Sequence, residues 1–242
     1  MFAIKGFLEQ RRILGQVRKA VEEYNMIEEG DHIAVGVSGK DSLTLLIALR
    51  QLQNFLDRKF SLEASTLTLG MGECDLTYTK NLLEEIGVNY TVEETLIGKI
   101  VFEEMKEENP CSLCANLRRG ALHNVAKSLG CNKVALGHHR DDVIETFMMS
   151  LLYEGRVHTF SPVTYLSKKD IYLIRPLLYT KEKEIKSFVK ANSILPIHNS
   201  CQANGKTKRQ YIKELLYTMS KENRHVKENV FGAIKHSGID DW

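Results

Sequence analysis

The sequence predicts an α/β fold: a parallel five-stranded sheet with helices on both faces. Three observations carry this. Strand-length apolar runs alternate with helix-periodic segments, the pattern of βαβ units. The apolar run over residues 32–37 stops at Ser38-Gly39-Lys40-Asp41-Ser42, and a helix-periodic segment follows at once. Polar residues at 38–42, at 138–142 and at Arg175 all fall at predicted carboxyl ends of strands, where open parallel sheets bind ligands.

Taken in order, residues 4–27 form an amphipathic helix carrying Lys5, Arg11, Arg12, Arg18 and Lys19. These cations are either a solvated helix face or contacts to a nucleic-acid phosphate backbone. The first strand (32–37) and its turn lead into a helix over 43–56. A second strand spans 61–69 and ends at Gly70-Met71-Gly72. A helix over 76–86 stops at Gly87, a third strand spans 89–93, and a helical piece covers 100–106. Asn109-Pro110 breaks the chain before Cys111-Ser112-Leu113-Cys114, and a helix over 113–129 stops at Gly130. The fourth strand, 133–136, ends in Gly137-His138-His139-Arg140-Asp141-Asp142, with a long apolar helix to about 153. The fifth strand, 171–174, is followed by Arg175-Pro176 and a helix over 181–192. The remainder holds Cys201, the basic run Lys206-Thr207-Lys208-Arg209, and a final helix. This organisation divides the chain into an N-terminal helical segment (1–28), an anion-binding sheet domain with an inserted Cys-x2-Cys helix (29–180), and a C-terminal helical segment (181–242).

With 242 residues the chain can bury a sizeable core, and 26% charged and 43% apolar residues are ordinary for a globular protein. A net charge of +2 means that any nucleic-acid surface is a local patch. Residues 1–10 lack a signal-peptide apolar region and no apolar run reaches membrane-spanning length, so a cytoplasmic setting and no membrane partner are expected. Five cysteines, an odd number, argue for reduced thiols rather than a disulfide framework.

The turn at 38–42 is an anion site in outline. A helix start offers free N–H groups and the positive end of the dipole, and Lys40 adds charge. Gly-x4-Gly-Lys-Ser/Thr is absent, so this is no Walker A loop. Asp141 or Asp142 suits the Mg²⁺ of a nucleotide, or caps the helix that follows, and both roles can coexist. His138 reads as a hydrogen-bonding site residue rather than a zinc ligand. Cys111-x2-Cys114 has metal or redox spacing, and Cys201 is the one other cysteine in a polar, loop-like context. Cys74 and Cys131 read as incidental. Three thiolates suit an iron–sulfur cluster with an open iron better than closed zinc, which takes four ligands.

Together these residues resemble the tRNA 2-thiocytidine synthetases of the PP-loop ATP pyrophosphatase superfamily. The resemblance spans about 15–217. It is carried by Ser38-Gly39-Lys40-Asp41-Ser42, by Pro110-Cys111-Ser112-Leu113-Cys114 with Leu117-Arg118-Arg119-Gly120, by Leu136-Gly137-His138-His139-Arg140-Asp141-Asp142, by Ile174-Arg175-Pro176-Leu177, and by Cys201. It implies a Rossmann-like fold of the adenine nucleotide alpha hydrolase type, and a tRNA thiolase that uses ATP, Mg²⁺ and a [4Fe-4S] cluster. The C2 oxygen of a pyrimidine, a cytidine of the anticodon loop, is adenylated; sulfur then replaces the activated oxygen and AMP leaves. Ser38, Gly39, Lys40, Asp41, Ser42, Gly137, His138 and Arg175 are implied to bind ATP. Asp141, Arg118 and Lys40 are implied in catalysis, and Asp142 is a candidate Mg²⁺ ligand. Cys111, Cys114 and Cys201 are implied to hold the cluster. Arg119, Lys206, Lys208 and Arg209 are expected to contact tRNA. The resemblance further implies a cysteine desulfurase or sulfide as the sulfur donor, and a homodimer as the assembly.

Two departures stand out. The family loop is Ser-Gly-Gly-x-Asp-Ser, and this chain has one glycine between Ser38 and Lys40. Gly70 also stands where relatives often have an acidic residue. Rival readings are a uridine-thiolating relative, although those usually carry further Cys-x2-Cys pairs, and a nucleotide- or tRNA-binding relative without catalysis. In a third, the cysteines hold structural zinc.

Overall fold

The computed structural model describes residues 7–72, 74–105, 110–197 and 207–242. Its centre is a sheet of β1 (His32–Gly36), β2 (Ser61–Leu67), β3 (Asn89–Glu93), β4 (Lys133–Ala135), β5 (Val163–Leu166) and β6 (Ile171–Ile174). The strand order is β3-β2-β1-β4-β6-β5. All pairings are parallel except β5 with β6, which is antiparallel.

The sheet therefore has six strands, not the expected five. The additional strand is β5, an edge strand whose four residues are half-buried or exposed. Ladder bonds to β6 hold it, with Leu166 opposite Ile171, rather than burial. No apolar run marks such a strand in sequence.

Nine α-helical segments surround the sheet among the described residues: α1 (Phe7–Glu23), α2 (Lys40–Leu52), α3 (Thr77–Glu85), α4 (Ile97–Lys99), α5 (Pro110–Ser128), α6 (Arg140–Met149), α7 (Glu182–Ala191), α8 (Lys208–Glu222) and α9 (Val226–Ser237). Short π-helical turns continue α4 and α6 over Ile100–Glu104 and Ser150–Glu154. The expected final helix is two. Extended backbone at Asn223 ends α8, and the Asn223 side chain and carbonyl accept the N–H groups of His225 and Val226 at 3.0 Å each.

The sheet is buried on both faces, which is why β1 reads as an unbroken apolar run. Ile33 and Val35 belong to the main core with Ile13 and Val17 of α1, Leu45 and Leu49 of α2, Ile185 of α7, Ile212 of α8 and Ile234 of α9. Ala34, Val134 and Leu173 pack on the other face against Leu122 and Ala126 of α5. The described parts of segments 1–28 and 181–242 thus share one core with the sheet.

Strand order reverses at β1, with β2 and β3 on one side and β4, β6 and β5 on the other. Ligands of open α/β sheets bind in the crevice at such a switch point. Two helices that reach it start earlier than expected. α2 starts at Lys40 rather than 43, so Lys40, Asp41 and Ser42 form its first turn. α5 starts at Pro110 rather than 113. The first helical position needs no donor, and the fixed φ of proline suits it. Pro110 therefore opens this helix, and the cysteine pair lies on its first turn.

Candidate functional site

The loop after β1 is held in place from below. Val37 N–H donates to Ser65 C=O at 2.7 Å, and Thr66 Oγ1 donates to Val37 C=O at 2.8 Å. The buried Ser42 hydroxyl then organises the turn. Its Oγ accepts the N–H groups of Ser38 at 2.9 Å and Gly39 at 3.1 Å, and donates to Gly39 C=O at 3.0 Å. Gly137, just past β4, lies directly against this turn. A Cβ there would sit 3.0 Å from Ser42 N and 3.2 Å from Asp41 C, tight enough that a side chain would press on the backbone of the turn. Gly36 serves another approach: a Cβ there would meet the Leu122 side chain of α5 at 2.8 Å.

His139 and Asp142 close the start of α6 reciprocally. Asp142 N–H donates to His139 Nδ1 at 3.3 Å, and His139 N–H donates to Asp142 Oδ2 at 3.0 Å. His139 Nε2 lies 3.8 Å from Asp41 Oδ1, so the 38–42 and 138–142 clusters meet. Arg175, at the end of β6, joins them. Its Nε donates to His138 Nδ1 at 3.4 Å, and its Nη1 donates to Ser161 C=O at 2.5 Å and Thr164 Oγ1 at 3.1 Å. The ring of Phe160 stacks on His138 with centroids 4.7 Å apart, and its centroid lies 5.0 Å from the Arg175 guanidinium. Arg175 is buried, and no carboxylate among the described residues pairs with it. Burial lowers its pKa to about 10. Burial, with the charge of Arg175, pushes His138 down to about 4, so its imidazole is neutral at physiological pH. A buried cation beside neutral partners is a receptor for an anion.

Lys40 is not free. Its Nζ bonds both Asp41 oxygens at 2.9 Å and lies 3.5 Å from Glu182 Oε1 on α7. Glu182 also accepts from Lys213 at 2.7 Å and pairs with Lys186 at 3.0 Å. Burial opposes its charge, but the bonds from Lys213 and Lys186 and the charge of Lys40 prevail and hold it near 2. Asp141 turns away from the loop. Its Oδ2 accepts the Glu182 N–H at 2.8 Å and its Oδ1 the Lys227 ammonium at 2.6 Å, which ties α6 to α7 and α9. Both Asp142 oxygens are engaged as well, one in the cap and Oδ1 with Arg209 Nη1 at 3.4 Å.

Arg209 lies along α6, with Nη2 donating to Thr146 Oγ1 at 3.2 Å and Nη1 lying 3.7 Å from Glu145 Oε2. Glu145 is buried; desolvation and the Asp142 charge raise its pKa to about 7. A carboxyl whose folded pKa is raised adds stability below its ordinary value, and that contribution is lost as pH rises through about 7. Glu145→Gln is therefore expected to leave melting temperature unchanged near pH 5 and to raise it by about 2–4 °C at pH 8. Calorimetry at the two pH values checks this.

The parallel crossover from β3 to β4 runs through α5, so the start of α5 lies at the same carboxyl edge of the sheet as the 38–42 turn. Cys111 is exposed and Cys114 half-buried, three residues apart on one helix face. Arg118 is half-buried and Arg119 exposed, with Arg119 donating to Asn116 Oδ1. Lys208 places its ammonium 5.1 Å over the Tyr153 ring. Cys201 and Lys206 lie outside the described residues. Cys131 is buried beneath α5, and burial pushes its thiol up to about 11, away from ligand chemistry. Among the described residues no three His, Cys, Asp or Glu converge on a metal position.

A family model described as the PP-loop domain matches residues 10–219. The chain is 38% identical over 228 residues to the tRNA-cytidine(32) 2-sulfurtransferase of Geobacter metallireducens, covering 93% of this chain and 89% of that protein. It is 36% identical over 231 residues to the enzyme of the same name from Ralstonia pickettii, covering 94% of this chain and 73% of that one. The chain belongs to the PP-loop family of tRNA 2-sulfurtransferases. Its fold is that of the U34-tRNA thiolase NcsA from Methanococcus maripaludis, solved with a [4Fe-4S] cluster. There the TM-score is 0.77 at 22% identity, covering 93% of this chain and 78% of that one.

The turn at 38–42 of this PP-loop protein closes with one glycine because the Ser42 hydroxyl takes up the N–H groups of Ser38 and Gly39. Lys40, Asp41 and Ser42 keep the donors that every helix start leaves unpaired. The site also contains residues that sequence motifs did not mark: Phe160, Glu145 and Glu182. Phe160 sits between strands with no motif around it. The two glutamates belong to helix faces, where acidic residues are commonplace.

Proposed function

We propose that this chain is an ATP-dependent tRNA 2-thiolase acting on a cytidine. The observation that carries the reading is the PP-loop turn, closed by Ser42, at the same sheet edge as Cys111 and Cys114. ATP binds with its phosphates at the first turn of α2 and toward the buried Arg175 cation. The pyrimidine O2 attacks the α-phosphorus and pyrophosphate leaves; sulfur then replaces the adenylated oxygen, releasing AMP. Lys40 exchanges its contact with Asp41 and Glu182 for phosphate oxygens. His138, neutral and held by Arg175 and Phe160, offers a hydrogen bond without charge. Asp141 keeps α6 against α7 and orients the cap residues beside it, while Asp142 offers an oxygen to Mg²⁺ when Arg209 moves aside. Arg118, Arg119, Lys208 and Arg209 present cations to the tRNA backbone from α5 and α8.

The cysteines fit a [4Fe-4S] cluster. Cys111 and Cys114 offer two thiolates from one helix, Cys201 is the third in sequence, and Cys131 is buried with its thiol pKa raised. When bound, the cluster supplies the position for the incoming sulfur, from sulfide or a desulfurase. A homodimer in a cytoplasmic setting completes the reading. No helix among the described residues is long and apolar enough to cross a membrane.

The test is nucleoside mass spectrometry of unmodified tRNA incubated anaerobically with iron-loaded protein, MgATP and sulfide. The expected product is 2-thiocytidine, with one pyrophosphate released per sulfur inserted. 2-Thiouridine would reassign the base. Absence of both sulfur insertion and pyrophosphate would leave a binding protein only.

A further inference from the structure

The wall of the site formed by Phe160 is held from behind by residues 240–242. The indole N–H of Trp242 donates to Phe160 C=O at 3.0 Å. Asp240 accepts the Thr159 N–H on Oδ2 at 2.9 Å and places Oδ1 2.9 Å from His158 Nδ1. On the other side, Thr159 Oγ1 donates to Val143 C=O of α6 at 3.1 Å. The backbone leading into Phe160 is therefore pinned from two directions. Trp242 is itself seated edge-on between Tyr24 beyond α1, at 6.0 Å, and Phe231 of α9, at 5.5 Å.

The backbone of this short segment is unusual. Asp240 has φ 50° and Asp241 φ 63°, both left-handed and neither a glycine. Among non-glycine residues aspartate enters that region most readily, where its short polar side chain is hydrogen-bonded. Here the Asp240 carboxylate engages the His158 imidazole and the Thr159 N–H, and the Trp242 indole engages the Phe160 carbonyl. Trp242 and Phe160 are both half-buried at the margin of the main core. What Phe160 does touch are His138 and the Arg175 guanidinium. Its neighbour Ser161 offers the carbonyl that Arg175 donates to.

We infer that Asp240 and Trp242 are positioning residues: they fix Phe160 and Ser161, and through them aim His138 and Arg175 at a nucleotide triphosphate, given the reading above that these two face ATP. An aromatic wall that shifts by even an ångström lets the guanidinium turn to solvent, and binding then has to restore the geometry. Loss of the segment's contacts should accordingly appear in KM for ATP before it appears in kcat.

Trp242 is the sole tryptophan of the chain, so its emission reports on this wall alone. MgATP titrated into the protein is expected to shift Trp242 emission, with a midpoint equal to the Kd from equilibrium dialysis with labelled ATP. Trp242→Phe keeps a ring but loses the indole N–H. It should raise KM for ATP roughly three- to tenfold with kcat within about twofold and with a melting temperature within a few degrees of the parent. If that variant does not fold, Asp240→Asn carries the same comparison, because it keeps an acceptor while losing the charge. Dialysis that shows bound ATP, together with unmoved Trp242 emission and an unchanged KM in the variant, would overturn the positioning role and leave ATP binding standing. Dialysis that shows no bound ATP overturns both.

Discussion

Cys114→Ala is expected to abolish tRNA thiolation, by at least about 10³-fold, while leaving ATP binding within about twofold of the parent. The separation follows from where the residue sits. Cys111 and Cys114 occupy the first turn of α5, and neither belongs to the hydrophobic clusters that hold the sheet. Removing one sulfur outside those clusters should cost no more than about 1 kcal/mol of folding stability, the centre of the range for point substitutions. The turn at 38–42 is braced by β2 and Ser42 and does not depend on α5's first turn. Iron per chain and the visible absorbance of anaerobically prepared protein should fall with activity. Cys131→Ala is the control. It lies under α5 among Ala34, Leu122 and Val134, so it should lower the melting temperature yet keep its iron. Full iron content and 2-thiocytidine formation in Cys114→Ala would remove this residue from the ligand set.

Much of this architecture is legible in the sequence because the physics is local. β1 is a continuous apolar run since both sheet faces are covered, and β6 begins and ends on isoleucine. Boundaries fail where a residue has two meanings. Pro110 reads as a break and is a helix start; Lys40 reads as loop and is the first helical residue. β5 was invisible because pairing with β6, not burial, sustains it. At the site, motifs located the strand ends but not the directions of their side chains. Asp141 and Asp142 are adjacent in sequence and look interchangeable. One points to Glu182 and Lys227, the other to the α6 cap and Arg209. Only the placement of α7, α8 and α9 decides that. Glu182 is the clearest case: its contact with Lys40 spans 142 positions, and no spacing rule reaches so far.

The short loop itself supplies the second large effect. With one glycine between Ser38 and Lys40, the turn has fewer backbone donors than the family pattern provides. Two of them, on Ser38 and Gly39, are directed at the Ser42 hydroxyl instead of outward. Ser42 is therefore the structural centre of the turn as well as part of the helix start. Ser42→Ala deletes two acceptor contacts and one donor contact at a buried position. Unpaired buried groups cost about 1–3 kcal/mol each, but Ser38 is exposed and water reaches it, so the loss of global stability should stay near the low end. The catalytic loss should be far larger. Gly39 sits fully extended, at φ −178° and ψ −165°, and its carbonyl is fixed by the same hydroxyl. Without that bond the turn can rotate, and the first N–H groups of α2 no longer converge on one point. A displacement of about 1 Å at such a site is worth on the order of 10²-fold in rate. Ser42→Ala is thus expected to lower kcat/KM for pyrophosphate release by about 10²-fold or more, with a fall in melting temperature of only a few degrees. A variant with the parent's KM for ATP and rate of pyrophosphate release would show that the one-glycine loop holds its form without this hydroxyl. Gly39 and the packing of Gly137 against Ser42 would then have to be sufficient.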